Sequence, residues 1–251
     1  MKRIEKFLDA VEREGILYSV KRIIPHLHQT NIRPHLPRKS DETQKLNGVD
    51  VRSGRLLDSI VPWRVTHPDP KNYESAIVEA LNQHVNEGDT VCIVGGGWGV
   101  TSVIAARRVG SEGIIHTFEA SDEYSKYISE TTEINGVEGR VDVENAIVSN
   151  VKSHRGATLS ERVIDPVELP ECDVLQLDCE GAELDILDNM TICPRVIIVE
   201  SHGIFDSSSS SVADVLRKKS YKIISEGPAE DGKNRKKCDR KDIMVLVGVK
   251  I

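Results

Sequence analysis

Carboxylate and imidazole side chains follow two apolar segments of this 251-residue chain. Asp178, Glu180 and Glu183 follow the first segment, and the second ends in Glu200 shortly before His202. Clustered carboxylates can orient a substrate hydroxyl, remove its proton or bind a divalent cation. His202 is the best-placed general base, because imidazole titrates near neutral pH, although a hydrogen bond to Glu200 or to the backbone would also explain it. Glu183 is explained equally well as a helix-capping residue, since acidic side chains favour helix N-termini.

A glycine-rich turn is the second informative segment. The apolar residues 91–94 precede Gly95, Gly97 and Gly99. Glycines permit a sharp turn and let a ligand lie against backbone N–H groups, although a merely tight strand–helix turn would use them too. The dinucleotide pattern G-x-G-x-x-G fails, because Val100 occupies its last position counted from Gly95, and this disfavours a nicotinamide oxidoreductase. The spacing G-x-G-x-G is instead the form used for S-adenosylmethionine (SAM), which has no pyrophosphate.

A third signal is Glu119, which ends the apolar segment 114–118 twenty residues after Gly99. A carboxylate at this place can accept hydrogen bonds from a ribose diol. Asn145, at the end of the next strand, is expected near the adenine. The predicted cofactor-binding residues are Gly95, Gly97, Gly99, Glu119, Asn145 and Asp178, and the predicted catalytic residues are Asp178, Glu180 and His202. No metal ligand is predicted.

Alternating apolar segments must position these residues. Strands are predicted over 90–94, 114–118, 141–148, 173–178, 195–200, 221–225 and 243–249, and helices over 73–86, 100–109, 122–134, 181–190 and 211–219. The polar stretch 226–242 predicts a long hairpin loop, which makes the last strand antiparallel to its predecessor. The predicted fold is α/β, a doubly wound, mostly parallel seven-stranded sheet of the Rossmann-like class I methyltransferase type that ends in an antiparallel hairpin.

The N-terminal part of the chain differs from the rest. Apolar residues recur at helical spacing over 1–25, whereas 25–70 contains six prolines and is predicted to lack regular structure. We therefore predict an N-terminal helical extension with a Pro-rich connecting segment over 1–70 and a SAM-binding domain over 71–251.

Composition restricts the possible partners. The net charge of −7 argues against a general nucleic-acid binder. The five cysteines show no metal-binding spacing, and an odd, scattered set indicates a reducing compartment. No segment approaches the roughly 20 apolar residues of a membrane span. A soluble, cytoplasmic protein that acts on a small-molecule or glycan acceptor is predicted, and its oligomeric state is left open.

Residues 72–250 resemble the FkbM family of SAM-dependent methyltransferases. The resemblance rests on Tyr73-Glu74, the glycine loop 95–99, Phe118-Glu119, Thr158-Leu159, Asp178-Cys179-Glu180-Gly181-Ala182-Glu183 and Val199-Glu200-Ser201-His202. The D-x-E-G-A-E run is the most specific of these features. The resemblance implies methyl transfer to a hydroxyl oxygen, often on sugars, glycolipids or natural products. It does not require a metal, so His202 or Glu180 is expected to take the proton.

One residue departs from the family pattern. The family usually has an aspartate two residues before the first loop glycine, where it helps to hold the amino group of SAM, and this chain has Ile93 there. Three consequences stay open at this point: weaker SAM binding, a substitute carboxylate such as Glu74, or a SAM-binding protein without catalytic activity.

Overall fold

The computed structural model describes residues 31–32, 35–37, 43–56, 73–149, 160, 162–232 and 234–251. The chain divides into two compact units, residues 1–44 with 52–67 and residues 45–51 with 68–251. In the first unit, the Arg55 guanidinium donates a hydrogen bond to the carbonyl oxygen of Leu36 at 2.9 Å. The predicted site residues all lie in the second unit. The predicted N-terminal helices lie outside the described residues, and the predicted domain boundary at residue 70 stays a prediction.

Eleven strands are present in the described part of the chain. In chain order they are β1 (Thr43–Leu46), β2 (Val49–Arg52), β3 (Thr90–Val94), β4 (Ile114–Glu119), β5 (Val141–Asn145), β6 (Ile147–Val148), β7 (Val163–Ile164), β8 (Val174–Leu177), β9 (Val196–Glu200), β10 (Tyr221–Pro228) and β11 (Met244–Lys250). Seven of them form one sheet in the order β10-β11-β9-β8-β3-β4-β5. All its neighbours pair in parallel except β11, which is antiparallel to both β9 and β10. The predicted seven-stranded sheet with its antiparallel end is therefore confirmed.

Helices cover both faces of this sheet. They are α1 (Ser75–His84), α2 (Val100–Val109), α3 (Asp122–Ile134), α4 (Glu183–Asn189), α5 (Ser209–Lys218) and α6 (Arg235–Lys241). Successive strand side chains point to opposite faces. Ile93 and Ile198 share a buried cluster with residues of α1 and α2, whereas Leu175 and Val199 share another with residues of α4 and α5. This alternation makes the sheet doubly wound, as predicted. No helix among the described residues has the length and apolar character needed to cross a membrane.

The prediction of a long loop over 226–242 is wrong in part. β10 continues to Pro228, which pairs with Met244 of β11, and α6 follows. Hydrophobic periodicity does not reveal α6, because Cys238 is the one buried residue of this helix and no apolar stripe runs along it. Lysine and arginine nevertheless favour helix well. The basic side chains of Arg235–Lys241 therefore lie on a helix.

Two further predictions need correction, one of a strand and one of a segment without regular structure. The predicted strand 141–148 breaks after Asn145, because the Ala146 N–H donates to the Glu119 carbonyl oxygen at 3.1 Å and β6 then pairs with β7 instead. Regular structure also occurs within 25–70, where β1 and β2 are joined by Asn47 and Gly48, both at positive φ. An Asn-Gly pair between short strands is a strong hairpin signal, and the sequence contains this signal at residues 47 and 48.

Candidate active site

The predicted site residues gather at the carboxyl ends of four adjacent strands. The glycine loop follows β3, Glu119 ends β4, Asp178 follows β8 and His202 comes just after β9. Open α/β sheets bind ligands at this edge. Gly95 (φ +89°) is required by the packing here, because a Cβ atom on it would lie 1.8 Å from the carbonyl oxygen of Asp178. The two loops are therefore held in direct backbone contact.

The backbone N–H groups of the glycine loop are bonded within the protein. Gly95 donates to the carbonyl oxygen of Phe118 at 2.9 Å. Gly96 and Gly97 both donate to Oε2 of Glu119 at 3.1 Å. Oε1 of Glu119 accepts from the Ser121 N–H at 2.9 Å. Glu119 therefore holds the loop in place, in addition to any contact it makes with a ribose.

Burial raises the pKa of Glu119, although these three backbone hydrogen bonds oppose the shift. An ionised carboxylate offers about four acceptor positions. Backbone N–H groups use three of these positions on Glu119, so Oε1 retains one acceptor position for a ligand hydroxyl.

Gly97 (φ +51°) borders open space. A Cβ atom there would meet nothing closer than Oε1 of Glu74 and the hydroxyl oxygen of Tyr73, each 3.9 Å away. Burial and the charge of Asp178 raise the pKa of Glu74 to about 8, against the hydrogen bond from Tyr73. Glu74, the substitute carboxylate considered from the sequence, thus lies beside the loop. A positive charge bound beside the loop would favour the ionised form of Glu74, so this position fits the sulfonium and ammonium charges of SAM.

His202 is buried among three carboxyl groups. Its Nδ1 lies 2.8 Å from Oε1 of Glu183, and its Nε2 lies 3.7 Å from Oδ1 of Asp178 and 3.5 Å from Oε1 of Glu200. Burial by itself would lower the pKa of His202. The hydrogen bond to Glu183 and the negative charges of Asp178, Glu183 and Glu180 outweigh burial and raise the pKa.

Glu183 points inward and has no solvent exposure. Its carboxylate accepts hydrogen bonds from the Cys179 N–H at 3.2 Å and the Gly181 N–H at 2.9 Å. Burial would raise the pKa of Glu183, but these contacts and His202 bring it below its ordinary value. An ionised Glu183 only accepts hydrogen bonds, so Nδ1 of His202 carries the proton and Nε2 faces the remaining carboxylates.

Glu200 was not among the residues predicted for the site. It ends β9 as Glu119 ends β4, and this strand-end position is the signal by which the sequence could have indicated it. One ligand-type atom from each of Asp178, Glu200 and His202 lies within 4.8 Å of the others. Burial raises the pKa of Asp178 to about 6, although the positive charge of His202 opposes the shift. Burial and the charges of Asp178 and Glu74 raise the pKa of Glu200 well above its ordinary value.

The other predicted residues lie at the margins of the site. Glu180 is exposed and has a positive φ of 50°. Asn145 donates its amide N–H to the carbonyl oxygen of Glu119 at 2.9 Å, which ties the end of β5 to that of β4. The catalytic role of Glu180 and the adenine contact of Asn145 stay predictions. Thr158-Leu159, one of the family-like features, lies outside the described residues.

Ile93 is completely buried and pairs in register with Gln176 on β8. Within the described part of the chain, the side-chain nitrogen and oxygen of Gln176 are buried without a hydrogen-bond partner. A buried amide without partners is costly. The apolar residue at position 93 therefore offers no hydrogen bond to this polar neighbour on the adjacent strand.

Comparison with known proteins identifies this arrangement. The model of the Methyltransferase FkbM domain matches residues 63–223. The chain belongs to the FkbM methyltransferase family. The resemblance drawn from the sequence is thereby confirmed. SAM is the cofactor, as the glycine loop predicted. A search of curated proteins finds no match to this chain.

Solved structures with a similar fold include three of different origin. A SAM-dependent methyltransferase from Aquifex aeolicus is 15% identical, with 73% of this chain and 94% of that chain covered and a TM-score of 0.44. A SAM-dependent O-methyltransferase from Thermotoga maritima is 18% identical, with 84% and 77% covered and a TM-score of 0.45. The aTrm5 protein in complex with tRNALeu is 12% identical, with 83% and 52% covered and a TM-score of 0.51. At such low identity this likeness concerns the fold alone.

Proposed function

We propose that this FkbM-family chain is an O-methyltransferase that methylates a hydroxyl of a small-molecule or glycan acceptor, such as a sugar, a glycolipid or a natural product. The observation that carries the proposal is the Glu183–His202 pair. It directs Nε2 of His202 toward Asp178, beside the loop where the cofactor is expected. An alcohol is a weak nucleophile until its proton is removed, and this arrangement offers a base for that purpose.

The residues present fit SAM. When bound, it supplies an electrophilic methyl group on a positively charged sulfur. Gly97 leaves space for a ligand against the loop, and Glu74 contributes an acidic group at its border. Glu119 retains one acceptor position for a ribose hydroxyl. The proposed cofactor contacts are therefore Gly95, Gly97 and Gly99 with the methionine end, Glu119 with the ribose, and Asn145 near the adenine.

The acceptor is proposed to approach along Asp178. The side chain of Asp178 is partly exposed and lies at the same edge of the sheet as the glycine loop. Proton removal falls to His202, whose raised pKa makes it a stronger base than free imidazole. The enzyme otherwise contributes orientation and proximity of the two reactants.

A small acceptor suits the electrostatics better than a nucleic acid does. The ionised carboxylate of Glu183 and the acidic side chains of Asp178 and Glu180 lie in or beside the site, and the net charge of the chain is −7. Phosphate groups would be repelled by such a site. The tRNA in the aTrm5 structure belongs to that protein, so we propose no nucleic-acid partner here.

Labelled methyl transfer tests the proposal. The purified chain is incubated with SAM carrying an isotopic methyl label and a cell extract, with and without prior nuclease treatment, and the products are identified by mass spectrometry. We expect the label on the oxygen of a small molecule or glycan, unaffected by nuclease. Asp178→Ala should abolish transfer and leave SAM affinity within severalfold. Asp188→Asn, an exposed change on the same strand–helix unit, should transfer as wild type does.

Two results would overturn this assignment. Label in a nuclease-sensitive fraction would identify a nucleic-acid acceptor, and label on nitrogen would identify a different reaction. Absence of transfer to any fraction, with SAM bound normally, would instead support a catalytically silent SAM-binding protein. The buried Ile93 and its unpaired neighbour Gln176 are the features that favour this second candidate.

A further inference from the structure

We propose that Asp178, Glu200 and His202 form a binding site for a divalent cation of the Mn²⁺ type. Nε2 of His202 lies 3.5 Å from Oε1 of Glu200 and 3.7 Å from Oδ1 of Asp178. Adjacent ligands of an octahedral cation with bonds of about 2.1–2.5 Å lie about 3.0–3.5 Å apart. Both Nε2 distances are therefore within a few tenths of an ångström of this spacing, and all three ligand atoms lie within 4.8 Å of one another.

Glu200 supplies an independent observation. The residue is only 9% exposed, and its carboxylate accepts no hydrogen bond from any residue in the described part of the chain. Its nearest charged partner there is the Nε2 atom of His202. A buried carboxylate without donors is unfavourable unless a cation compensates it. The side chain is thus oriented toward the ligand set, where a cation would take the place of the proton that the buried carboxyl group otherwise holds.

Glu183 orients His202 as metal-bound histidines are commonly oriented. Such histidines donate their second ring N–H to a carboxylate, which fixes the tautomer and the ring plane. Nδ1 of His202 meets this requirement at 2.8 Å from Glu183. The lone pair of Nε2 is then directed at the two carboxylates that would complete the site.

The donor set selects the class of cation. Two carboxylate oxygens favour Mg²⁺ or Mn²⁺, and the imidazole nitrogen shifts the preference toward Mn²⁺. Three protein ligands leave positions on the cation for water and for one acceptor hydroxyl.

The use of the cation in methyl transfer rests on the proposed function. A coordinated hydroxyl loses its proton to solvent more readily. A bond then forms between the acceptor oxygen and the methyl carbon while the carbon–sulfur bond breaks, and its electron pair stays on sulfur. His202 would then act as a ligand rather than as the base. This mechanism replaces the metal-independent one expected from the family resemblance.

Binding of Mn²⁺ to the full chain without SAM tests the site directly. The protein is treated with EDTA, desalted and titrated with MnCl₂ while free Mn²⁺ is followed by electron paramagnetic resonance. We expect one saturable site per chain, with displacement by excess MgCl₂. Glu200→Gln and Asp178→Asn should each weaken binding at least tenfold, whereas Asp188→Asn should not change it. Circular dichroism checks that each variant is folded.

Parallel transfer assays separate the two proposals. Absence of saturable Mn²⁺ binding, or equal affinity in folded Glu200→Gln, would overturn the cation site. If methyl transfer also survives EDTA, the proposed function stands with His202 as the base. Site-specific Mn²⁺ binding without methyl transfer to any acceptor would support the cation site and contradict the function. Loss of transfer in EDTA, restored by Mn²⁺, would support both.

Discussion

Nδ1 of His202 lies 2.8 Å from Oε1 of Glu183, whose side chain has no solvent exposure. The same carboxylate accepts the N–H groups of Cys179 and Gly181. One side chain therefore fixes the turn after β8 and the imidazole after β9. This makes Glu183 a positioning residue for the site on either proposed role of His202.

Glu183→Gln keeps the shape of this side chain and removes its charge. We expect methyl transfer to fall about 10–100-fold with SAM affinity little changed. Glu183 raises the pKa of His202, so with His202 as the base the midpoint of the pH–rate profile should move to lower pH in this variant. Steady-state kinetics over a pH series measures both effects. Asp188→Asn on α4 is the control, and a wild-type rate of transfer with an unshifted profile would count against the positioning role.

Glu119→Ala should weaken SAM binding by at least about tenfold, since one charge-assisted hydrogen bond contributes about 1.5–3 kcal/mol. The variant also frees the N–H groups of Gly96 and Gly97, which adds to the loss. Isothermal titration calorimetry with SAM and with S-adenosylhomocysteine measures this. Glu133→Ala, an exposed change on α3, is the control. Wild-type affinity in Glu119→Ala would make the ribose assignment wrong.

Ile93→Asp restores an acid at the position where the family usually has one. The new carboxylate would lie beside Gln176, whose amide could donate a hydrogen bond to it. We expect tighter SAM binding together with a lower free energy of unfolding, because a charge replaces a fully buried apolar side chain. Calorimetry and urea denaturation measure the two effects. Ile93→Asn supplies the amide partner without the charge, and equal SAM affinity in a folded Ile93→Asp would mean that another group, such as Glu74, already fills the role.

Glu74→Gln should change how stability depends on pH. The pKa of Glu74 is raised to about 8 in the folded chain, chiefly by burial, from an ordinary value of 4.5. Between these values the folded state holds a proton that the unfolded state has released, so stability falls as pH rises. Glu74→Gln removes this contribution, and its melting temperature at pH 8 should exceed that of wild type. The difference should vanish near pH 4.

Thermal unfolding at several pH values provides the measurement. Glu79→Gln, exposed on the helix that begins directly after Glu74, should follow wild type throughout. Part of the slope will remain in Glu74→Gln, because burial also raises the pKa values of Asp178 and Glu200. Equal melting temperatures of wild type and Glu74→Gln at pH 8 would contradict the prediction.

The sequence by itself determined the fold class and the edge of the sheet at which the site lies. Strand and helix periodicities are local properties, so β3, β4, β8 and β9 could be recognised from neighbouring residues alone. The places of Gly95, Glu119 and Asp178 at strand ends followed from the same patterns, because parallel strands end at one edge. The glycine spacing likewise identified the cofactor.

The tertiary structure decided which of these groups meet. Sheet order is a long-range property, and the pairing of β8 with β9 is what brings Glu200 to Asp178 and His202. The inward direction of Glu183 depends on a turn with positive φ at Glu180 and on the packing of α4, neither of which periodicity encodes. α6 could not be recognised from local patterns, because a helix with one buried residue leaves no apolar stripe in the sequence. Local patterns specify elements, whereas side-chain partners are fixed only when the elements pack.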